Sequence, residues 1–248
     1  MYPRRHFNEG GNGYAQHRPD YPRELAEALA TLCMRHDHAV DVGCGTGQLT
    51  SLLAGKFGQV TGIDPSASQI ESAAHGPGIS YRIASSEASG LDDGCADLIT
   101  AAQAAHWFNL DQFYAEARRI ARPGAILALV SYGVPEFSDD FSQSFNQFYW
   151  HDIHRYWPAD RVHVEQGYRS LDFPFMQLTM PELWIRREWS FHELSGYIDT
   201  WSATRQAQKA GEGDIFDAAR AKLANRWGDP GQRRSVRWLL SGHVTRLN

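Results

Sequence analysis

The sequence concentrates its chemistry in Val40-Asp41-Val42-Gly43-Cys44-Gly45-Thr46-Gly47, where three alternating glycines follow a short apolar run. Glycines between a strand and a helix let the backbone turn tightly and let a ligand approach where a Cβ would collide. The helix behind such a turn aims its free N–H groups and its dipole at the ligand. A phosphate-binding loop needs Gly-Lys-Ser/Thr at the helix start, and here Gly47 is followed by Gln48-Leu49. A dinucleotide fingerprint wants G-x-G-x-x-G. Here the third glycine comes one residue early, and Asp41, two residues before the first glycine, is no part of that pattern.

Further along lie side chains suited to a nucleoside. Asp64, in Asp64-Pro65-Ser66, is placed to accept hydrogen bonds from two vicinal ribose hydroxyls. Ser66 is a ready helix cap, which would leave Asp64 free. His106, in Gln103-Ala104-Ala105-His106-Trp107-Phe108, is a side chain whose ordinary pKa lies near working pH. It suits a base for a hydroxyl or amine, an orienting group for a carboxylate, or a buttress for its loop. Tyr149, Trp150, His151, His154, Arg155, Trp157, Trp201 and Arg205 mix aromatics with cations, as a pocket for an anionic small molecule would, or as a packed helix face would. His151 and His154 have the spacing of a metal pair, but no third ligand stands nearby, so no metal is expected.

The elements that must position these groups follow from periodicity. Pro22 opens a helix with Leu25, Ala28, Leu29, Leu32 and Cys33 on one face, ended by His36-Asp37-His38. Ala39–Val42, Val60–Ile63, Ile79–Ala84, Asp97–Ala101 and Ala125–Val130 read as strands. The helices between them start after Gly47, after Ser66 and at Leu110, the last running to Ala121. That alternation predicts an α/β fold, a Rossmann-like doubly wound and mostly parallel sheet with helices on both faces. Beyond residue 131 the rhythm changes: residues 139–157 are aromatic and helical, 158–181 loop-rich, and 183–190 a strand. Helices over 192–204 and 215–226 and a final strand over 235–244 complete the chain.

Composition narrows the class. At 248 residues, 42% hydrophobic and 21% charged, the chain can bury one large core. Its net charge of −5 and only three lysines offer no electrostatic footprint for nucleic acid. Cys33, Cys44 and Cys95 form no C-x-x-C pair, which suits a reducing compartment. Arg4-Arg5 is followed by Asn8-Glu9-Gly10-Gly11 rather than an apolar stretch, and no window is apolar enough to span a bilayer. A cytoplasmic protein without membrane partners is the expectation.

The glycine loop resembles motif I, D-x-G-x-G-x-G, of class I S-adenosylmethionine-dependent methyltransferases. Tyr14-Ala15-Gln16-His17-Arg18-Pro19-Asp20-Tyr21-Pro22, the Gln103–Phe108 segment and Tyr197-Ile198-Asp199-Thr200-Trp201-Ser202 are similar to the trans-aconitate methyltransferase-like small-molecule branch. The resemblance implies a seven-stranded sheet with a terminal antiparallel hairpin and a small, mainly helical cap inserted at about 136–181. It further implies an arm or lid over residues 1–21 and a single methyltransferase domain over 22–248. The cofactor would be S-adenosyl-L-methionine, leaving as S-adenosyl-L-homocysteine. Its shell would comprise Tyr14, Arg18, Asp41, Gly43, Cys44, Gly45, Gly47, Asp64, Pro65, Ser66, Ser85, Ser86, Glu87, Gln103 and Trp107. Asp41 would orient the ammonium group, Arg18 would reach the carboxylate, and residues 84–87 would meet the adenine. His106 would stand at the reacting centre, with Phe108, Trp150, His154 and Trp201 lining the acceptor pocket.

On that footing the expected reaction is methyl transfer by in-line displacement to a small-molecule acceptor, carboxylic acids among the candidates, by a monomer or homodimer. A non-catalytic S-adenosylmethionine-binding protein and an NAD-dependent oxidoreductase are the alternatives, the second disfavoured by the glycine spacing. Nucleic-acid methylation is disfavoured too: the chain contains no Pro-Pro for an amino-methylase loop and no Pro-Cys nucleophile.

Overall fold

The computed structural model describes residues 17–247. Tyr14 and the rest of residues 1–16 lie outside the described residues. Helix α1 (Arg23–Leu32) buries Leu25, Ala26, Leu29 and Ala30 along one face. The α/β alternation then runs β1 (His38–Val42), α2 (Gln48–Leu53), β2 (Gln59–Asp64), α3 (Ala67–Glu71), β3 (Ile79–Ile83), β4 (Ala96–Ala102), a 3₁₀ turn (Ala105–Trp107), α4 (Leu110–Ile120) and β5 (Ala121–Tyr132). Asn109 caps α4, its Oδ1 accepting from the Gln112 amide. That cap satisfies one of the amides a helix start leaves without a partner.

β1 to β5 pair in parallel in the order β3-β2-β1-β4-β5. β8 (Arg234–Arg246) runs antiparallel against β5. β6 (Glu136–Phe137) and β7 (Leu183–Trp189) both pair antiparallel with β8, Glu136 and Arg186 sharing Arg237 from opposite sides. β6 therefore prolongs β5, and the sheet is seven strands wide. β8 is its one reversed strand, held in a hairpin-like pair with β7. This is the sheet that the sequence led one to expect.

Period-two alternation divides the core between the two faces. Ala39, Leu98, Ile126, Ala128 and Val130 face α1 and α2, joining Leu25, Leu29, Leu49 and Leu53. Val40, Val42, Ile99, Leu127 and Leu129 face the other way, toward Phe113, Tyr114 and Ala117 of α4. Strands buried on both sides read as continuous apolar runs, which is why β4 and β5 stood out in the sequence.

Between β5 and β7 the chain is mainly helical: α5 (Phe141–Asn146), a π-helical turn (Gln147–Asp152), a 3₁₀ turn (His154–Tyr156) and α6 (Arg161–Glu165). After β7 come α7 (Phe191–Asp199), α8 (Ser202–Lys209) and α9 (Gly213–Trp227). Phe137, Phe141, Phe145, Phe148, Tyr197, Trp201, Trp227 and Trp238 bury one another here. Aromatic pairs such as Phe141–Trp227 (4.8 Å) and Trp189–Trp238 (4.9 Å) pack edge to face.

Several boundaries differ from expectation. The first helix ends at Leu32 rather than at His36, because His38 already pairs with Gln59 in β1. The helix expected over 192–204 is two, broken at Thr200–Trp201, where the Thr200 hydroxyl donates back to the Tyr197 carbonyl. β5 begins at Ala121, ahead of Pro123 and Gly124, with a register shift in its pairing with β4. The stretch 158–181 contains α6 as well as turns.

Candidate functional site

The strand order reverses between β1 and β4, and a crevice opens outside the carboxyl ends of strands at such a point. Gly43–Gly47 leaves β1 there and Gln103–Phe108 leaves β4 there. Gly43, Gly45 and Gly47 all have positive φ (70°, 56° and 80°), a region that costs a side chain about 1 kcal/mol or more. A Cβ on Gly43 would strike Ala104, and one on Gly47 would strike the Tyr81 hydroxyl, so both approaches demand glycine.

Asp41 lies beneath this loop, 1% exposed. Its Oδ2 accepts from the Thr50 hydroxyl (2.7 Å) and its Oδ1 from the Thr100 hydroxyl (2.8 Å). Burial pushes its carboxyl up to about 6 against the pull of those two hydroxyls. Asp64, at the end of β2, accepts from the Gly45 amide (3.0 Å) and the Ser66 amide (2.9 Å). Though spared the capping of α3, it is not free of the backbone as expected: it ties the glycine loop to β2. Burial raises its pKa, the two amides opposing. Ser66 does cap α3, through Gln69. Pro65 is exposed, and Cys44, its thiol pushed far up by burial, sits beside Gly62.

Ser86 donates to Glu87 Oε1 (2.8 Å), which also accepts from the Asn109 amide (3.1 Å), so the loop after β3 is tied to the start of α4. Ser85 bridges to Ala88 within that loop. Gln103 holds a left-handed φ of 54°. Its side-chain amide donates to the Tyr132 carbonyl (2.7 Å), its carbonyl accepts from Ser131 (3.3 Å), and its backbone amide donates to Val130. Strain of this kind persists where the surroundings over-determine it, and such places cluster at functional sites.

His106 is half-buried, its ring 4.8 Å from that of Trp107, and its Nδ1 lies 2.9 Å from the Tyr168 hydroxyl. Burial, and then the charge of Arg161, push its pKa down to about 3. The imidazole is neutral at any working pH and holds a further proton poorly. Phe108 packs against Gly43 and Phe113 and so props the glycine loop. Trp201 is fully buried, against Tyr149, Trp157 and Tyr197. His154 pairs with Glu165 (3.2 Å), and Trp150 is 41% exposed beside it. Arg18 stands over the Tyr197 ring. Among the described residues no group of three or more His, Cys, Asp or Glu is placed to hold a metal.

Four contributors were missed by sequence reasoning. Thr50 and Thr100 carried no signal beyond falling on inward-facing positions. Tyr168 and Arg161 sit in the stretch taken as loop. Tyr168 is fully buried with a positive φ of 66°, its carbonyl accepting from His243 (2.8 Å). Arg161 stacks on Trp157 at 4.2 Å, and its Nε donates to the Tyr149 hydroxyl (2.9 Å).

The residues gathered at this point suit an adenosyl amino acid: a glycine-rich turn, a carboxylate at the β2 terminus, and a half-buried turn after β4. Comparison with known proteins agrees. The methyltransferase-domain family matches residues 40–129. A candidate methyltransferase of Dictyostelium discoideum is 33% identical over 221 residues, covering 88% of this chain and 84% of that protein. A Saccharomyces cerevisiae protein described as an S-adenosylmethionine-dependent methyltransferase is 30% identical over 145 residues, 55% of this chain and 50% of that one. A solved structure from Anaeromyxobacter dehalogenans, described as a candidate type II methyltransferase, has 39% identity and a TM-score of 0.84, covering 92% of this chain and 97% of that one.

The fold is that of a class I, Rossmann-like transferase. The chain belongs to the S-adenosylmethionine-dependent methyltransferases, and S-adenosylmethionine is its cofactor.

Proposed function

We propose that the acceptor is a small molecule that arrives already anionic, a carboxylic acid above all, methylated on oxygen. The observation that carries this is the state of His106: half-buried and hydrogen-bonded to Tyr168, with its pKa pushed down to about 3 by desolvation first and then by Arg161. A general base works best with a pKa near the operating pH. A hydroxyl or amine acceptor would need such a base, whereas a carboxylate needs none. His106 then positions the acceptor without taking its proton.

When bound, S-adenosylmethionine supplies a methyl group on a sulfonium, already activated for displacement by an acceptor oxygen as the carbon–sulfur bond breaks. The chain's own residues hold and orient. Such positioning can supply about 7–11 kcal/mol of barrier lowering. In this reading Gly43, Cys44, Gly45 and Gly47 line the amino-acid end, with Asp41 behind the loop as the charge facing the ammonium. Asp64 holds the ribose, flanked by Pro65 and Ser66; Ser85, Ser86 and Glu87 border the adenine; and Gln103 and Trp107 close the methyl side. Arg18 lies on the cofactor side ahead of α1, and residues 136–181 cap the acceptor. Phe108, Trp150, His154 and Trp201 are assigned to the acceptor side, Trp201 from beneath.

The similarity to the trans-aconitate methyltransferase-like branch supports a small acid, and the net charge of −5 supports exclusion of nucleic acid. No helix among the described residues is long and apolar enough to cross a membrane. Cys33, Cys44 and Cys95 are unpaired, which supports a cytoplasmic setting. The test is transfer from methyl-labelled S-adenosylmethionine to a panel of mono-, di- and tricarboxylates, trans-aconitate included, beside phenols and amines. Label in base-labile esters is expected; label confined to phenols or amines would refute the proposal.

A further inference from the structure

The glycine turn rests on a row of residues set side by side across the sheet. The strand registers align Thr100 of β4 with Asp41 of β1, Asp41 with Gly62 of β2, and Gly62 with Tyr81 of β3. Successive residues of a strand alternate between the faces of a sheet, and registered neighbours share one. Asp41 lies two residues on from Ala39, so the row belongs to the face that carries α1 and α2. Gly62 is the gap in it. A glycine inside a strand marks a place where another group comes close. Here that group is the Tyr81 ring: a Cβ on Gly62 would lie 2.6 Å from two of its carbons.

The ring crosses Gly62 and brings its hydroxyl against Gly47, the last glycine of the turn, where a Cβ would strike it. That hydroxyl donates to the Ala74 carbonyl (2.8 Å), just beyond α3. The Ala74 amide in turn donates to the Thr46 carbonyl (3.2 Å), inside the turn. His75 packs edge-on against the ring at 5.8 Å. Tyr81 thus meets the turn twice, by contact at Gly47 and through Ala74 at Thr46. It is half-buried and part of neither apolar core, so its packing serves the turn rather than the sheet interior.

We infer that Tyr81 is a positioning residue for S-adenosylmethionine: its ring, admitted by Gly62, holds Thr46 and Gly47 where the turn receives the cofactor's amino-acid end. This rests on the reading of that turn as the amino-acid cradle. It adds what sets the cradle's shape and why β2 carries a glycine two residues before Asp64.

The test is isothermal titration of the whole protein with S-adenosylhomocysteine and with methylthioadenosine, which keeps the adenosine and sulfur but lacks the amino-acid end. Tyr81→Leu is expected to weaken S-adenosylhomocysteine roughly 10-fold and to leave methylthioadenosine within about twofold of wild type. Tyr81→Phe, which keeps the ring, should restore most of the loss. A merely structural tyrosine would lower stability to urea and shift both ligands alike. That outcome, or unchanged S-adenosylhomocysteine affinity in Tyr81→Leu, would overturn the inference. Gly62→Ala, which drives a Cβ into the ring, should show the same selective loss and serves if the leucine variant does not fold. Combining Gly62→Ala with Tyr81→Leu should bind no worse than either alone, because one contact cannot be lost twice; losses that multiply would overturn the inference. Asp64→Ala separates the inference from the reading beneath it. Weakened S-adenosylhomocysteine there, with none in Tyr81→Leu, overturns the inference alone, whereas full affinity in both variants strikes the site reading as well.

Discussion

Replacing Asp64 with alanine separates the two tasks its carboxylate performs. If it binds the vicinal ribose hydroxyls, two hydrogen bonds to a charged group are lost, each worth about 1.5–3 kcal/mol. The sum, about 3–6 kcal/mol, corresponds to a fall in S-adenosylhomocysteine affinity of roughly 10²- to 10⁴-fold. The same carboxylate accepts from the Gly45 and Ser66 amides at 3.0 and 2.9 Å. Leaving a buried donor unpaired costs about 1–3 kcal/mol, and here solvent reaches the half-buried site, so the unliganded protein should lose about 1–2 kcal/mol in all. Asp64→Asn keeps one acceptor oxygen but turns an N–H toward one of the two amides, so it should bind hardly better than the alanine variant. Isothermal titration gives the affinities, and urea unfolding of the unliganded protein gives the stability loss. An affinity within threefold of wild type for Asp64→Ala would refute the ribose assignment. An affinity loss matched by gross unfolding would mean that the loop, rather than the contact, was removed.

Asp41 makes stability depend on pH. Its folded carboxyl, at about 6, lies above the ordinary 3.8, so the folded state holds this proton more tightly than the unfolded one. The resulting stabilisation is full below about pH 4 and lost as pH rises through about 6, a change of roughly 3 kcal/mol. Wild-type stability measured relative to Asp41→Asn should fall by that order between pH 4 and 7; a flat difference would contradict the buried carboxylate. Gly242 has a φ of 149°, and a Cβ there would run into the Leu129 carbonyl of the neighbouring β5. Gly242→Ala should cost about 3 kcal/mol or more, a fall in Tm of roughly 6–12 °C by calorimetry. Asp97, 3% exposed, receives the Asp37 and His38 amides and the Arg122 guanidinium at the far end of the sheet. Asp97→Ala should destabilise by about 2–4 kcal/mol while S-adenosylhomocysteine affinity per folded molecule stays unchanged.

The elements that position the site were legible where a single local rule decided them. β1, the glycine turn and α2 follow from an apolar run, alternating glycines and a helical face, and all three stand where expected. β4 and β5 announced themselves because strands buried on both faces need uniform apolar sequence. The partners that complete the site were not legible, because they depend on long-range packing. Asp41 meets Thr100 across 59 positions, and His106 meets Tyr168 across 62. Tyr168 follows Gly167 in a stretch with no periodicity, and only its burial against the post-β4 turn gives it meaning. Arg161 opens a helix too short for a hydrophobic pattern to reveal. Aromatic content alone marked Trp150 and Trp201 equally, yet one is 41% exposed and the other 1%. Composition says which residues are able to line a pocket, and only the packing of α5, α7 and α8 says which do.

The central claim is that the turn between β1 and α2 cradles the amino-acid end of an adenosyl sulfonium. A crystal structure of the protein with S-adenosylhomocysteine tests it most directly. The homocysteine moiety should lie along Gly43–Gly47, with both ribose hydroxyls on Asp64 and the sulfur turned toward His106 and Trp107. The product bound elsewhere, or bound with its ribose away from Asp64, would contradict it.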